Sequence, residues 1–224
     1  MSVPMQIEFV SDVVCPWCVI GLLGLETALA NMGDLVDAEI RFEPFELNPD
    51  MPPEGQDIAE HVAQKYGSTA QRSAEARSAI AARAAEVGFT MAMGKGGRIY
   101  NTFDAQRLLH WAGLKGRQGE LKHALFDAYF TQGLNVSDRD VLVSAAQSAG
   151  LRGAEASDVL DAGMFEEDVR AAELHWRREG ISAVPAVVIN GRYLISGGQP
   201  VAAFEKALRA IAAESAATAD SSAG

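Results

Sequence analysis

The chain has 224 residues, 48% of them hydrophobic and 22% charged, which suits one well-buried domain or one domain carrying an insertion. Its formal net charge of -11 argues against nucleic acid and anionic membrane as partners, since both demand clustered Lys and Arg. Met1 to Gln6 lacks a basic stretch and an apolar h-region, and no transmembrane run is expected, so the expected location is cytoplasmic.

In chain order, Met5 to Val10 reads as a short strand of apolar and β-branched residues. Val19 to Ala30 reads as a helix. Between them stand the only two cysteines, in Cys15-Pro16-Trp17-Cys18. This places the pair on a strand-to-helix turn. Cys15 falls near the N-cap, Pro16 takes the first helical position, where no amide hydrogen is needed, and Cys18 lies one turn in. The unpaired amides and the positive end of the helix then point at the Cys15 sulfur and favour its thiolate. Cys15 is the expected nucleophile on a substrate disulfide, and Cys18 the thiol that resolves the mixed disulfide. Trp17 is expected to be exposed, and it supplies no cationic donor to the thiolate as a histidine would.

Other readings of the pair are weaker. A structural disulfide closing so short a loop constrains the unfolded chain little. A zinc site needs about four ligands, and His61, His110, His123 and His175 are scattered without close spacing, so no metal is expected.

Ala38 to Glu46 reads as a second strand, ended by the Pro-rich segment Asn48 to Gly55. From about Asp57 to Glu179 strand patterns give way to helical ones. Residues 68 to 87 end at Gly88, Phe103 to Trp111 follows possible caps at Asn101 and Thr102, and Leu121, Ala124, Leu125, Ala128 and Tyr129 recur at helical spacing. Ser137 to Asp140 resembles a capping box before Val141 to Ala149, and Met164 to Arg178 forms a further helix. Gly94-Lys95-Gly96-Gly97-Arg98 lacks the Gly-Lys-Ser/Thr ending of a P-loop and reads as a flexible connection. His110-Trp111 and His175-Trp176 read as core-packing positions on helices.

Ile181 to Gly198 reads as two short strands joined by an Asn190-Gly191 hairpin turn. Pro185 opens the first of these strands, where a proline marks an edge, a bulge or a cis bond. Gln199-Pro200 starts a last helix, Val201 to Ala213. Beyond Glu214 the residues are small and polar without periodicity, and residues 214–224 are expected to be a disordered tail.

Ser11-Asp12-Val13-Val14-Cys15-Pro16-Trp17-Cys18, Val184-Pro185 and Ser196-Gly197-Gly198-Gln199-Pro200 together resemble the DsbA-like branch of the thioredoxin superfamily. They are most similar to its FrnE-like oxidoreductases, relatives of 2-hydroxychromene-2-carboxylate isomerases and kappa-class glutathione transferases. The resemblance implies an α/β thioredoxin fold with a mixed central sheet and a large α-helical insertion. The core would be residues 1–55 and 180–213, the inserted helical domain residues 56–179. It implies a cis Val184-Pro185 bond beside the dithiol, with Pro16, Trp17, Val184 and Pro185 contacting substrate. It also suggests Glu8 as a buried proton acceptor for Cys18, and Asp12 is read as shaping the turn.

The expected activity is thiol-disulfide exchange with protein or small-molecule substrates. No bound cofactor is expected, with glutathione as a candidate redox co-substrate. Two alternatives stand beside it. One is a glutathione-dependent isomerase or transferase, whose relatives carry serine where this chain has Cys15. The other is a non-enzymatic peptide-binding or chaperone module using the groove at Pro185.

Overall fold

Alternation of apolar and polar residues builds the first strand: Met5, Ile7 and Phe9 are buried while Pro4 and Gln6 face solvent. In the computed structural model, which describes residues 2–52, 54–92 and 97–222, this strand, β1, spans Val3–Ser11. It runs parallel to β2 (Val36–Pro44) with Ile7 opposite Ile40 and Phe9 opposite Phe42. On its other side it pairs antiparallel with a strand from the far end of the chain, Ala186–Ile189, which in turn pairs with Tyr193–Ser196. The central sheet is therefore mixed, with the first strand inside it.

The hairpin turn is legible in its residues. Asn190 and Gly191 both take positive φ, 53° and 61°, and Arg192 N–H closes the turn onto the Ile189 carbonyl at 3.1 Å.

Helix α1 (Pro16–Met32) packs on one face of the sheet through Cys18, Leu22 and Leu25. By length and apolarity alone the stretch Pro16–Leu35 would suffice to cross a bilayer, which departs from the sequence expectation, but half of it is buried as a core helix. The segment between β2 and the C-terminal hairpin holds α2 (Ile58–Tyr66), α3 (Ala70–Glu86), α4 (Phe103–Leu114), α5 (Gln118–Phe126), α6 (Arg139–Ser148), α7 (Gly153–Asp161) and α8 (Glu166–Arg178). Asp57, Thr69 and Asp138 cap α2, α3 and α6 by accepting from first-turn amides. The five residues Asp127–Thr131 continue α5 as a π-helical turn.

Several details differ from the sequence reading. The segment is not purely helical: β3 (Gln56–Asp57) and β4 (Arg98–Ile99) form a two-stranded ribbon, joined through the long-range pairing of Gln56 with Ile99. With β3 and β4 placed, the hairpin strands are β5 (Ala186–Ile189) and β6 (Tyr193–Ser196). Helices α2 and α7 have no counterpart in the expected elements. Gly94, Lys95 and Gly96 of the basic glycine loop lie outside the described residues, while Arg98 donates from its guanidinium to the Glu54 and Gly55 carbonyls.

The last helix, α9 (Val201–Ser222), does not stop at Ala213. Its extension is rich in alanine and free of glycine and proline, so backbone propensity carries the helix through the residues expected to be disordered. Glu214 also pairs with Arg192 of the hairpin at 2.9 Å.

One continuous apolar core joins Phe9 and Leu22 of the sheet and α1, Leu108, Leu121 and Phe126 of the helical segment, and Phe204 of α9. A smaller cluster of Val10, Phe45, Trp176, Ile181 and Ala186 lies apart from it. Trp111 and Trp176 are buried as expected, His110 stacks on Phe165 at 5.1 Å, and His175 is exposed.

Candidate redox site

The turn that carries the cysteines is built around one buried carboxylate. Asp12 follows β1 directly and accepts from Val14 N–H at 3.3 Å and from Leu47 N–H at 2.7 Å, binding the end of β1 to the segment after β2. Gln106 of α4 spans the same gap, donating to the Ser11 carbonyl at 3.1 Å and the Phe45 carbonyl at 3.2 Å. Cys15 N–H then donates to the Asp12 carbonyl at 3.2 Å. Asp12 thus shapes the turn, as its position suggests.

Cys15 is the N-cap of α1, with extended backbone angles of -89° and 112°, and Pro16 occupies the first helical turn. Cys18 N–H donates to the Cys15 carbonyl at 3.0 Å. Both cysteines are free thiols. Cys15 is 3% exposed, Cys18 is 0% exposed, and Trp17 between them is 38% exposed. The Val184–Pro185 peptide is cis, and the Val184 carbonyl accepts from Cys15 Sγ at 3.6 Å. Pro185 is held in turn by Gly197 N–H, which donates to its carbonyl at 2.8 Å. The two ends of the chain named by sequence therefore meet at one point.

The electrostatics separate the two sulfurs. Burial pushes the Cys18 thiol well above its usual range, and its hydrogen bond to Cys15 adds to this, so Cys18 keeps its proton. Burial likewise raises Asp12, against the opposing hydrogen bonds from Leu47, Thr102 and Val14. Lys122 of α5 is wholly buried and lowered to about 8 by desolvation, against the attraction of Cys18, Asp12 and Cys15. Its Nζ has no hydrogen-bond partner and lies 5.1 Å from the centre of the Phe126 ring.

A cavity of about 870 Å³ opens over Cys15. Its floor includes Cys15, Trp17 and Val184, and its walls include Ile58 of α2, Ile80 of α3 and Tyr129 of the π-helical turn. The helical segment thus forms most of the wall. Tyr129 O–H donates to the Arg98 carbonyl at 2.9 Å, and burial raises its phenol above the usual range.

Of the expected site residues, Cys15, Pro16, Trp17 and Val184 line this cavity, Cys18 lies buried behind it, and Pro185 follows directly from Val184. Glu8 is not brought to the dithiol. It alternates with Ile7 and Phe9, which pack in the core with α1, so its side chain points to the opposite sheet face, within the field of Glu43 and Arg41. The ionisable groups facing the cysteines are Asp12 and Lys122. Lys122 escapes a sequence search for chemistry because lysines usually solvate. Its signal is its place three and four residues before Leu125 and Phe126, on the apolar stripe of α5. Among the described residues no group of three or more His, Cys, Asp or Glu side chains gathers to hold a metal.

The chain is similar to known proteins over nearly its whole length. The chain is 28% identical over 204 residues to the uncharacterized protein YwbO of Bacillus subtilis (strain 168), covering 91% of this chain and 95% of that one. It superposes on the probable DsbA oxidoreductase SCO1869 from Streptomyces coelicolor with a TM-score of 0.86 and 32% identity, over 91% of this chain and 88% of that one. A 2-hydroxychromene-2-carboxylate isomerase shares the fold, with a TM-score of 0.66 and 13% identity, over 95% of this chain and 98% of that one. The family model for the DSBA-like thioredoxin domain matches residues 6–209, nearly the whole chain, with the cysteine turn and the Val184–Pro185 loop both inside it. The chain therefore belongs to the DSBA-like thioredoxin-domain family.

Proposed function

We propose that the protein is a thiol-disulfide oxidoreductase whose Cys15 and Cys18 exchange disulfides with protein or small-molecule substrates. The carrying observation is the asymmetry of the pair. Cys15 opens on the cavity at a helix N-terminus with its sulfur against the Val184 carbonyl, while Cys18 is sealed behind it as a protonated thiol.

The helix N-terminus supports the Cys15 thiolate through unpaired amides and the macrodipole. That thiolate attacks one sulfur of a substrate disulfide R–S–S–R, forming Cys15–S–S–R and expelling one R–S⁻. Cys18 then gives its proton to solvent base and attacks Cys15 Sγ, the Cys15–S–R bond breaks, and the second R–S⁻ leaves and is protonated by water. The dithiol is oxidised and the substrate reduced by two electrons; the reverse sequence donates a disulfide. Glutathione serves as the thiol co-substrate that resets the pair, and the location is cytoplasmic. The thiol at Cys15 favours this over a glutathione-dependent isomerase, whose relatives hold glutathione with a serine there.

Cys18→Ser tests the assignment. It should accumulate a covalent Cys15 adduct with a disulfide substrate, detectable as an added mass lost on reduction, while Cys15→Ser should accumulate little. Full exchange activity in both single variants would remove the dithiol from the active site.

A further inference from the structure

A lysine with no hydrogen-bond partner in an apolar interior is costly unless its charge has a use. Lys122 is the one described lysine in that condition: it is 0% exposed, its Nζ meets no acceptor, and rings of Phe126 and Phe42 lie 5.1 and 6.0 Å away. Its helix is fixed in place. Gln118, one turn earlier, exchanges two hydrogen bonds with the Phe42 backbone of β2, each 2.9 Å, and Leu121, Leu125 and Phe126 are locked in the core. The groups facing the ammonium are Cys18 and Cys15 from the start of α1 and Asp12 from the turn after β1, with Cys18 the strongest. On its own helix, His123 pairs with Glu26 of α1 at 2.8 Å.

Resting on the thiol-disulfide reading above, we propose that Lys122, delivered from the helical segment rather than from the thioredoxin core, is the countercharge for the Cys18 thiolate in the resolving step. In the mixed disulfide Cys15 carries no charge, which leaves Asp12 as the other acidic group facing the lysine. When Cys18 gives up its proton to solvent base, the new thiolate forms opposite a cation already in place. Cys18 S⁻ then bonds to Cys15 Sγ as the Cys15–S–R bond breaks, and R–S⁻ departs with its electron pair. A side chain held at about 8 is mainly protonated at pH 7, so the cation is present when the step needs it. Lys122 touches neither substrate nor the breaking bond within hydrogen-bond reach; it acts through Cys18.

The test uses the full chain, reduced, against dithiobis-nitrobenzoate, whose released aromatic thiolate absorbs visible light. The first equivalent reports attack by Cys15 and the second reports resolution by Cys18. Lys122→Met keeps length and apolar packing while deleting the charge. It should leave the first phase near the parent rate, slow the second about tenfold or more at pH 7, and raise the apparent pKa of that phase by about 1–3 pH units. Lys122→Arg restores the charge and should recover the second phase. Lys122→Met should melt no lower than the parent, since the charge it removes is buried without a hydrogen-bond partner. A second phase in Lys122→Met that matches the parent at every pH from 6 to 10 overturns the proposal, as does an equal slowing of both phases. If either variant fails to fold, the parent decides: a second phase whose rate rises with pH and levels off below pH 10 supports an assisted Cys18 thiolate, and a rate climbing log-linearly from pH 6 to pH 10 without levelling refutes it. A parent that releases a single equivalent would instead sink the dithiol mechanism itself, which separates the two failures.

Discussion

Gly21→Ala adds one methyl inside α1 where the helix meets the Pro185 loop. A Cβ there would lie 3.0 Å from Pro185 Cγ, 3.3 Å from Gly198 Cα and 3.7 Å from Pro185 Cβ. Carbon atoms rest at about 3.5–4.0 Å, so the proline ring and the Gly198 backbone must retreat by about half an ångström. Such overpacking costs about 1–3 kcal/mol, while replacing glycine by alanine in a helix interior returns about 1 kcal/mol. The net loss is about 0–2 kcal/mol, a fall in melting temperature of about 0–8 °C for a chain of this size. The chemistry should suffer more than the stability. Gly197 N–H holds the Pro185 carbonyl at 2.8 Å, so both loops move together and carry the Val184 carbonyl away from Cys15 Sγ, now 3.6 Å distant. Misplacement of this order costs up to about 100-fold in rate, and roughly tenfold is expected for the first phase of disulfide release. Thermal melting and stopped-flow release measured on one preparation give both quantities. Gly119→Ala in α5 is the control, because its Cβ would meet Phe42 at an ordinary 3.8 Å. It should hold or gain stability by up to about 0.5–1 kcal/mol with unchanged exchange. If Gly21→Ala behaves like this control, the close approach of α1 to the Pro185 loop has no bearing on the dithiol.

Arg107 of α4 is buried and donates to the Val159 carbonyl at 2.6 Å, the Met164 carbonyl at 2.8 Å and Asp104 at 2.6 Å. Arg107→Met strands these carbonyls at the end of α7 and should cost about 3 kcal/mol, read as a lower denaturant midpoint, with normal exchange by the folded fraction. An unshifted midpoint would mean water replaces the clasp freely. Glu173 of α8 shares Arg170 with the buried Glu46, and burial followed by repulsion from Glu46 pushes its carboxyl up to about 7. A carboxyl raised on folding stabilises fully below its unfolded value near 4.5, and that stability is lost as pH rises through about 7. Glu173→Gln mimics the protonated form, so its stability should exceed the parent's at pH 8 and converge with it near pH 4.5. Parallel stability-pH curves for the two proteins would refute this.

What sequence reveals about this site is what neighbouring residues decide. The helix start at Cys15-Pro16 and the Asn190-Gly191 turn each rest on groups a few residues apart, and each stands where the pattern puts it, while the cap of α6 falls on Asp138, one residue inside the box that opens at Ser137. Asp12 is legible as a turn residue through its local partner Val14, but its partners Leu47 and Thr102 and the groups around Lys122 arrive from other elements, so no local pattern announces them. Glu8 illustrates the boundary. Its alternation with Ile7 and Phe9 is plain in the sequence, but which face receives α1 is a tertiary fact, and that face decides against it as the acid beneath Cys18. The two-residue ribbon of β3 and β4 is likewise a pairing across more than forty residues, too short to carry a period of its own. The alanine-rich end of α9 differs for another reason: its small polar residues suggest disorder, but helix propensity carries the chain through them.

The placement of β1 inside the sheet governs when the reactive centre can exist during synthesis. Its first neighbour, β2, is made soon after it, but its second, β5, comes almost 180 residues after Ile7, as the pairing of Ile7 with Ile189 records. Until that stretch is translated, one side of β1 is an unpaired edge and Cys15 lacks the Val184 carbonyl that meets its sulfur. Contacts so distant along the chain form late and slowly. A nascent chain therefore carries two thiols without the loop that orders them, so full-length and truncated chains should react with oxidants in different ways. On the proposed function, selective exchange arrives only with the final hairpin.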